Sequence, residues 1–395
     1  AVLSAGDAEG YAFWFGATDD DLIDAVAAKS PFVQLAIVDS DKTRVDRLRQ
    51  RMSVAGLYGR VTAHEYEASR FMPPQHVAHM VFVGRELAAS SDASTIAEAY
   101  KAVRPYGGVM YLLGDKDHSQ IAATVEAMKL EQAEVTVARH GVVVRRVGAL
   151  PGSADWTHQY GDIGNTIKSN DSRVKLPLGV LWFGGSSNMD VLPRHGHGPT
   201  EQVIGGRLFI QGTNSLSARD VYTGRVLWKR EFKNLGTFDV YYDATYKNTP
   251  LDSAYNQVHI PGANGRGTNY VVANDRVYIV EGDTCHALDP ATGKTLQDIR
   301  LPADSSGGRK EWGYLGVYED VLIGGLGFAN FRTRNDLKFD ADKELSKNKS
   351  GFGSKSLDRA ASMALVGFDR HSGKQLWKID AVHSFWHNGI VAGNG

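Results

Sequence analysis

A short turn pattern that occurs three times in the second half of the chain constrains the fold more than any other feature. It consists of Asp, two variable residues, Thr or Ser, Gly, a basic residue and then a strand-like stretch, at 220–228, 289–297 and 369–377. An Asp side chain accepts hydrogen bonds from the backbone just ahead of it, and Gly adopts positive φ without strain. Each copy therefore predicts a tight turn that joins two β-strands.

The pattern extends upstream of each turn. The stretches 203–210, 272–279 and 317–323 align with one another, and each has the form strand, two-residue turn, strand, which is typical of a β-hairpin. A third strand precedes each repeated turn and a fourth follows it. Four strands per repeat predict the blades of a β-propeller. The alternative is a β-sandwich in which the similarity between the copies arises by chance.

The repeat, which covers roughly 177–395, resembles that of the pyrroloquinoline-quinone (PQQ) enzymes and of the BamB-type outer-membrane assembly propellers. The resemblance implies a PQQ-like β-propeller of four-stranded blades. Alcohol-oxidising members of the first group hold PQQ with calcium and often use adjacent cysteines. Cys285 is the single cysteine of this chain, and no calcium ligand set can be assigned in it. Two alternatives therefore stay open: a quinone (PQQ)-dependent oxidoreductase, and a propeller that binds no quinone.

Composition excludes several classes of protein. A length of 395 residues suggests about two or three domains. The 44 basic and 45 acidic residues give a net charge of −1, so no basic field predicts a nucleic-acid partner. There is no run of about 18 apolar residues, so we expect no membrane span. With one cysteine the chain forms no internal disulfide and no paired-cysteine metal motif.

Both ends of the sequence bear on its context. Residue 1 is Ala, and no signal-like segment follows it, so either a leader was removed or the numbering begins inside a longer chain. We expect a periplasmic or otherwise exported protein. The stretch 388–395 matches the opening strand and turn of a blade, which makes three blades and the start of a fourth. Because an open propeller leaves strand edges exposed, we expect the missing blades in further sequence or in a partner chain.

The first 148 residues follow a different pattern. Strand-like apolar runs alternate with stretches of helical spacing, and the region closes with a predicted hairpin at 133–138 and 141–147. This alternation predicts an α/β fold with a doubly wound, mostly parallel, Rossmann-like sheet. The first predicted helix starts with Asp19, Asp20 and Asp21, where acidic residues suit the helix dipole.

The closing strand pair and the Pro-Tyr-Gly-Gly turn at 105–108 resemble class I methyltransferases that use S-adenosylmethionine. The resemblance implies that Gly16 lies in the loop that approaches the cofactor and that Asp39 binds the ribose hydroxyls. Asp39 follows Gly16 by 23 residues, close to the roughly 20 of such sites. The alternative role for Asp39 is a helix cap or turn residue.

The cofactor loop departs from the family pattern. Ala17 and Thr18 carry side chains where glycines permit close backbone approach, and the three aspartates that follow would face the cofactor's own carboxylate. The end of the fourth strand, 83–86, lacks the Asn/Asp-Pro-Pro-aromatic motif of amino-methylating enzymes. The domain is therefore either vestigial or a scaffold, or it is an active S-adenosylmethionine-dependent methyltransferase.

The region between the two parts also carries a resemblance. Residues 150–154 have the composition of a linker, and the stretches 156–158 (Trp-Thr-His) and 194–199 are similar to a planctomycete-type fusion of a methyltransferase-like domain with a PQQ-like propeller. We predict a domain at 1–148, a joining segment at 149–178 and propeller blades at 179–395.

Polar residues before the innermost strands suggest a ligand site. His195 and His197, next to Arg194, project from one face if extended, so they could bind a metal or an anion. Loops before the innermost strands gather at one mouth of a propeller channel, and His158 lies in a comparable loop. The predicted ligand-binding residues are Arg194, His195, His197, Arg266, Asn269, Trp386 and His387. The alternative is that these side chains only satisfy loop carbonyls.

These features lead to one expectation and two alternatives. We expect an exported binding or assembly protein that presents the propeller, with a degenerate methyltransferase-like domain. The alternatives are S-adenosylmethionine-dependent methylation and quinone-dependent oxidation, so enzymatic activity stays open. The charged insertion at 328–361 is either a solvated excursion from the third blade or an arm that docks a protein partner.

Overall fold

A computed structural model of the chain divides into two compact units, Ala1–Pro151 and Gly152–Gly395. None of the helices formed by the described residues is long and apolar enough to cross a lipid bilayer. The structure describes residues 9–30, 32–90, 92–115, 117–183, 190–191, 199–212, 214–233, 235, 269–303, 307–330, 357–358 and 361–394.

The first unit is built on a seven-stranded sheet with the order β3-β2-β1-β4-β5-β7-β6. The first five strands run parallel, whereas β7 pairs antiparallel with β5 and with β6. This is the methyltransferase-type, Rossmann-like sheet that the sequence predicts, and the fold class is confirmed. The strands are β1 (Gly10–Phe15), β2 (Phe32–Asp39), β3 (Val61–Glu65), β4 (Ala78–Val83), β5 (Val109–Leu113), β6 (Ala133–Ala138) and β7 (Gly141–Arg146).

Helices cover both faces of this sheet because successive residues of its buried central strands point to opposite sides. In β1, Trp14 belongs to one buried cluster and Phe13 and Phe15 belong to the other. Residues of α1 and α2 pack into the Trp14 cluster, and residues of α3, α4 and α5 pack into the Phe13 cluster. The helices are α1 (Asp20–Lys29), α2 (Lys42–Val54), α3 (Arg85–Ser90), α4 (Ala93–Ala102) and α5 (His118–Ala127).

Side-chain caps set the starts of the first two helices. The Asp19 carboxylate accepts a hydrogen bond from the Leu22 amide at 3.1 Å, and the Asp41 carboxylate accepts one from the Thr43 amide at 2.8 Å. The sequence did not reveal α3, because a helix of six residues is too short to show a full amphipathic period.

The second unit contains three four-stranded antiparallel sheets, each in sequential order, among the residues that the structure describes. They are the predicted propeller blades. Blade 1 contains β8 (Gln202–Ile204), β9 (Arg207–Gln211), β10 (Ser215–Asp220) and β11 (Val226–Glu231). Blade 2 contains β12 (Tyr270–Val272), β13 (Val277–Glu281), β14 (Thr284–Leu288) and β15 (Thr295–Arg300). Blade 3 contains β16 (Trp312–Tyr318), β17 (Val321–Leu326), β20 (Ala361–Asp369) and β21 (Gln375–Trp386).

The short strands β18 (Ala329–Asn330) and β19 (Leu357–Asp358) pair with each other between β17 and β20. They lie near the two ends of the predicted insertion, and its interior, residues 331–356, lies outside the described residues.

The repeated turns have the predicted chemistry. In blade 2, one Asp289 carboxylate oxygen accepts hydrogen bonds from the amides of Ala291 and Thr292, each at 2.8 Å. The Gly293 amide donates to the Asp289 carbonyl at 2.8 Å, and Gly293 has a φ of +69°. A β-carbon would be strained at this φ, which is why the pattern keeps a glycine here.

Tryptophan side chains dock on the repeated turns of blades 1 and 2. Trp228 of β11 donates its indole N–H to the Pro290 carbonyl of blade 2 at 2.9 Å, and its ring lies against Gly293. Trp182 makes the equivalent bond to the Val221 carbonyl of blade 1, also at 2.9 Å, with its ring against Gly224. Between blades 2 and 3, Gln297 replaces the tryptophan and donates to the Ser372 carbonyl at 2.8 Å.

Candidate functional site

The predicted cofactor residues of the first unit lie together at the carboxyl edge of its sheet. The Gly16 amide donates to the Val38 carbonyl at 2.8 Å, so the loop after β1 lies beside the end of β2. Asp39, the last residue of β2, is 3% exposed. Gly16 and Asp39 therefore lie at the edge where nucleotide-type ligands bind in open α/β sheets.

The Asp39 carboxylate is already occupied by groups of the chain itself. One oxygen accepts the Ala17 amide at 2.6 Å. The other accepts the Asp41 amide at 2.7 Å and the Arg44 guanidinium through Nε at 3.2 Å and Nη2 at 3.0 Å. The hydrogen bond to Asp39 raises the pKa of Arg44. An acceptor that holds two amides and a guanidinium has little capacity left for ribose hydroxyls.

The space next to Asp39 is small because the loops after β1 and β4 pack against each other. The Gly84 amide donates to the Phe15 carbonyl at 2.7 Å. A β-carbon on Gly16 would lie 2.9 Å from Cδ1 of Leu87, and one on Gly84 would lie 2.5 Å from the Gly16 carbonyl oxygen. The cavity between these loops measures about 130 Å³. Small-molecule sites usually measure about 300–1,000 Å³.

An ion-pair bridge crosses the same edge of the sheet. Arg85, at the start of α3, pairs with Asp19 in the loop after β1, and its Nε lies 3.0 Å from Asp115 after β5. Arg85 thereby joins three of the loops that surround a ligand in open α/β sheets. The carboxylate expected to bind the ribose hydroxyls of S-adenosylmethionine is occupied by groups of the chain, and the cavity beside it is smaller than a usual small-molecule site.

Sequence reasoning missed both arginines that close this edge. Arg44 lies five residues after Asp39, on the first turn of the helix that follows, and an acidic strand end followed by a basic helix start could have indicated the pair. Arg85 gave no such signal, because Asp19 and Asp115 are distant in sequence.

The predicted ligand site of the propeller is described only in part. Arg194, His195, His197 and Arg266 lie outside the described residues, and so does the predicted metal pair of His195 and His197. Among the residues that are described, no group of three or more His, Cys, Asp and Glu side chains could hold a metal ion.

The three remaining residues of this prediction have different environments. Asn269 is 1% exposed, and its Nδ2 donates to the Leu235 carbonyl at 2.9 Å. His387 is 2% exposed, with Nε2 2.8 Å from the Ser362 hydroxyl. Trp386 is 63% exposed. Asn269 and His387 thus support the loops that carry them, and Trp386 is accessible to a ligand.

The Ser362–His387 pair does not have the geometry of a nucleophile and its base. The Ser362 hydroxyl donates its hydrogen to the Gly327 carbonyl at 2.8 Å, so it accepts the hydrogen bond from the imidazole. Ser362 is also fully buried. A base must take the proton of the nucleophile, and here that proton points elsewhere.

The cysteine is equally inaccessible. Cys285 lies in β14 with no exposed surface, and burial raises the pKa of its thiol. Because the thiolate is the reactive form, Cys285 acts as a small apolar core residue.

No protein-family model matches the sequence, and no curated protein does. Solved structures with similarity to the first unit include a Methanococcus maripaludis protein assigned to the S-adenosyl-L-methionine-dependent methyltransferases, at 14% identity over 36% of this chain and 80% of that chain, with a TM-score of 0.31. The [4+2]-cyclase SpnF matches at 16% identity over 34% of this chain and 54% of its own, with a TM-score of 0.30.

A europium-containing methanol dehydrogenase matches at 16% identity over 58% of this chain, with a TM-score of 0.33. The match spans 32% of that dehydrogenase. At these values the similarities bear on neither substrate nor cofactor.

Proposed function

We propose that the protein is a non-catalytic binding or assembly protein, in which the methyltransferase-like unit is a closed scaffold and the PQQ-like propeller presents the binding surface. The occupied carboxylate of Asp39 carries this proposal. A methyltransferase needs that acceptor for its cofactor, whereas here it joins the loop after β1 to the start of α2 through Ala17 and Arg44.

The proposal is tested by calorimetric titration of the 395-residue chain with S-adenosylmethionine. We expect no binding, and the same result for Asp39→Ala. Micromolar binding to the wild-type chain that Asp39→Ala abolishes would show that the site opens for the cofactor, and the scaffold role would then be wrong.

We also infer that further blades, from further sequence or from a partner chain, complete the propeller. Ile299 of β15 is 2% exposed because it packs in the cluster that joins blades 2 and 3. Ile379 holds the same position in β21, two residues after the docking position, and is 54% exposed. Blade 3 buries Ile299 of blade 2, but no described blade buries Ile379 of blade 3. An exposed apolar residue at this position favours a further blade that packs against blade 3.

The segment Val180–Phe183 supports the same inference. Its Val-Leu-Trp sequence equals that of Val226–Trp228 in β11, and Trp182 docks on blade 1 as Trp228 docks on blade 2. Yet Leu181 is 62% exposed and Phe183 is 92% exposed. This segment has the sequence and docking contact of a fourth strand, and a further blade would supply the three strands that pair with it.

We further propose that the protein is exported and belongs to the planctomycete-type fusions. The order of the two folds along the chain and the Trp-Thr-His sequence at 156–158 support the second point. The single cysteine supports export. Cys285 is buried, so the chain exposes no thiol that an oxidising compartment would modify. Fractionation of the native host tests localisation, and recovery in the cytoplasm would contradict export.

A further inference from the structure

Three consecutive residues, Trp156, Thr157 and His158, hold the first strands of the three described blades. The Trp156 carbonyl accepts a hydrogen bond from the Val203 amide of β8 at 2.8 Å. The Thr157 carbonyl accepts one from the Val272 amide of β12 at 3.2 Å. Nε2 of His158 accepts one from the Val317 amide of β16 at 3.1 Å. We call the stretch 156–158 the hub segment.

The three amides belong to equivalent positions of the repeat. Val203, Val272 and Val317 align in sequence, each just before the first hairpin turn of its blade. The strands that carry them are the innermost ones, since β12 contacts both β8 and β16. The hub segment therefore gives one acceptor to each blade, and each acceptor satisfies an inner-edge amide that has no sheet partner on that side.

The third acceptor differs chemically from the other two. A backbone carbonyl stays an acceptor at every ordinary pH, whereas an imidazole nitrogen accepts only when it is unprotonated. Because Nε2 accepts the Val317 amide, Nδ1 carries the proton of the neutral ring and donates it to the Thr157 hydroxyl oxygen at 2.8 Å. His158 must therefore be neutral to accept the Val317 amide.

The surroundings of the ring keep it neutral. His158 is 8% exposed, and burial lowers its pKa to about 4. Among the residues that the structure describes, Asp162 is the charged group that acts on the ring; it favours the protonated form, but less strongly than burial opposes it. From the strands packed beside it, β12 and β16 contribute the amides of Val272 and Val317.

We propose that His158 makes the inner-strand contact of blade 3 acid-labile: protonation of Nε2 ends its bond to Val317, while the carbonyls of Trp156 and Thr157 keep their bonds to blades 1 and 2. A protonated ring would direct an N–H at the Val317 N–H, and two donors repel each other. The hydrogen bond then breaks, and water hydrates the imidazolium. The device acts within the second unit and is independent of what the protein binds.

The size of the effect follows from proton linkage. Because burial is the main cause of the lowered pKa, the ring titrates near 4 when held and returns to its ordinary pKa of 6.5 when release exposes it to water. The opening constant of the His158–Val317 contact should therefore rise about 20-fold between pH 7 and pH 5. The contacts of Val203 and Val272 have no titrating acceptor and should not change.

Amide hydrogen exchange of the full 395-residue chain at pH 7 and pH 5 tests the proposal, with each rate divided by the intrinsic rate at that pH. We expect the protection of Val317 to fall about 20-fold, and that of Val203 and Val272 to stay constant. The two carbonyl-bound amides are internal controls in the same molecule.

A matched variant isolates the imidazole. In His158→Gln, the side-chain oxygen can reach the position of Nε2 and accept the Val317 amide, but it does not titrate. Protection of Val317 in this variant should be independent of pH between 7 and 5. Equal loss of protection at all three amides of the wild-type chain overturns the proposal, as does a fall in the glutamine variant that matches the wild type. If the variant does not fold, the wild-type comparison alone decides.

Discussion

Nε2 of His158 lies 3.1 Å from the backbone nitrogen of Val317 and accepts its hydrogen bond across 159 residues of sequence. The bond joins the segment before blade 1 to the inner strand of blade 3. Because His158 is buried and its pKa is lowered, this ring makes the stability of the second unit fall as pH decreases.

The first prediction concerns that pH dependence. The folded-state pKa of His158, about 4, is lower than its ordinary value of 6.5, so the unfolded chain binds the proton more readily. The contribution of the ring is complete above about pH 6.5 and is lost as pH falls toward 4. Between pH 7 and pH 5 we expect a loss of about 2 kcal/mol in the free energy of unfolding.

Urea unfolding at the two pH values measures this loss, and His158→Gln should reduce it. Other groups titrate in this range too, so the difference between wild type and variant is the informative quantity. An identical pH dependence in both proteins would contradict the assignment.

The second prediction concerns the closed edge of the first unit. Arg44→Ala removes the guanidinium from a carboxylate that is 3% exposed, and should cost about 2 kcal/mol of stability, the usual range for a hydrogen bond to a charged group. Lys42→Ala is the control, since Lys42 pairs with Asp46 on the exposed side of the same helix and should change stability little. Thermal unfolding of the two variants side by side provides the measurement, and equal shifts would mean that Asp39 does not depend on Arg44.

The third prediction concerns the contact between blades 1 and 2. Trp228 is 9% exposed, and Trp228→Ala should destabilise the second unit by about 3–5 kcal/mol. Trp228→Phe keeps most of the apolar contact and loses the bond to the Pro290 carbonyl, at a cost of about 1 kcal/mol plus the loss of ring area. Trp386→Ala, at a residue that is 63% exposed, is the control. Denaturant unfolding that ranks the three variants differently would show that Trp228 does not join the blades.

The fourth prediction concerns the free face of blade 3. If β21 accepts another blade, then the chain should associate through Ile379, and Ile379→Asp should reduce the average mass measured by sedimentation velocity. Val137→Asp is a matched control, because Val137 is 50% exposed on β6 of the first unit. A wild-type chain that stays monomeric throughout a concentration series, with the mass of one copy, would count against a second copy of the chain as the partner at this face.

Much of the fold could be predicted from local sequence. The three Asp-x-x-Thr/Ser-Gly turns form as expected because Asp289 and Gly293 act on backbone within a few residues of themselves. The alternation of strands and helices in the first unit was equally readable, apart from the short α3. The candidate sites were less predictable. Gly16 and Asp39 lie at one edge of the sheet as expected, but nothing local indicated that Leu87 occupies the space beside Gly16.

The sequence by itself determined the turns, the strand pattern of the blades and the order of elements in the α/β unit, since each depends on interactions between near neighbours. Only the tertiary structure decided that Arg85 joins Asp19 to Asp115, and that His158 serves Val317. These partners are far apart along the chain, and many pairings of basic, acidic and polar residues are equally compatible with composition. The physical reason is that a long-range hydrogen bond forms only after packed sheets have brought its two groups together, and burial then sets its strength and its protonation state.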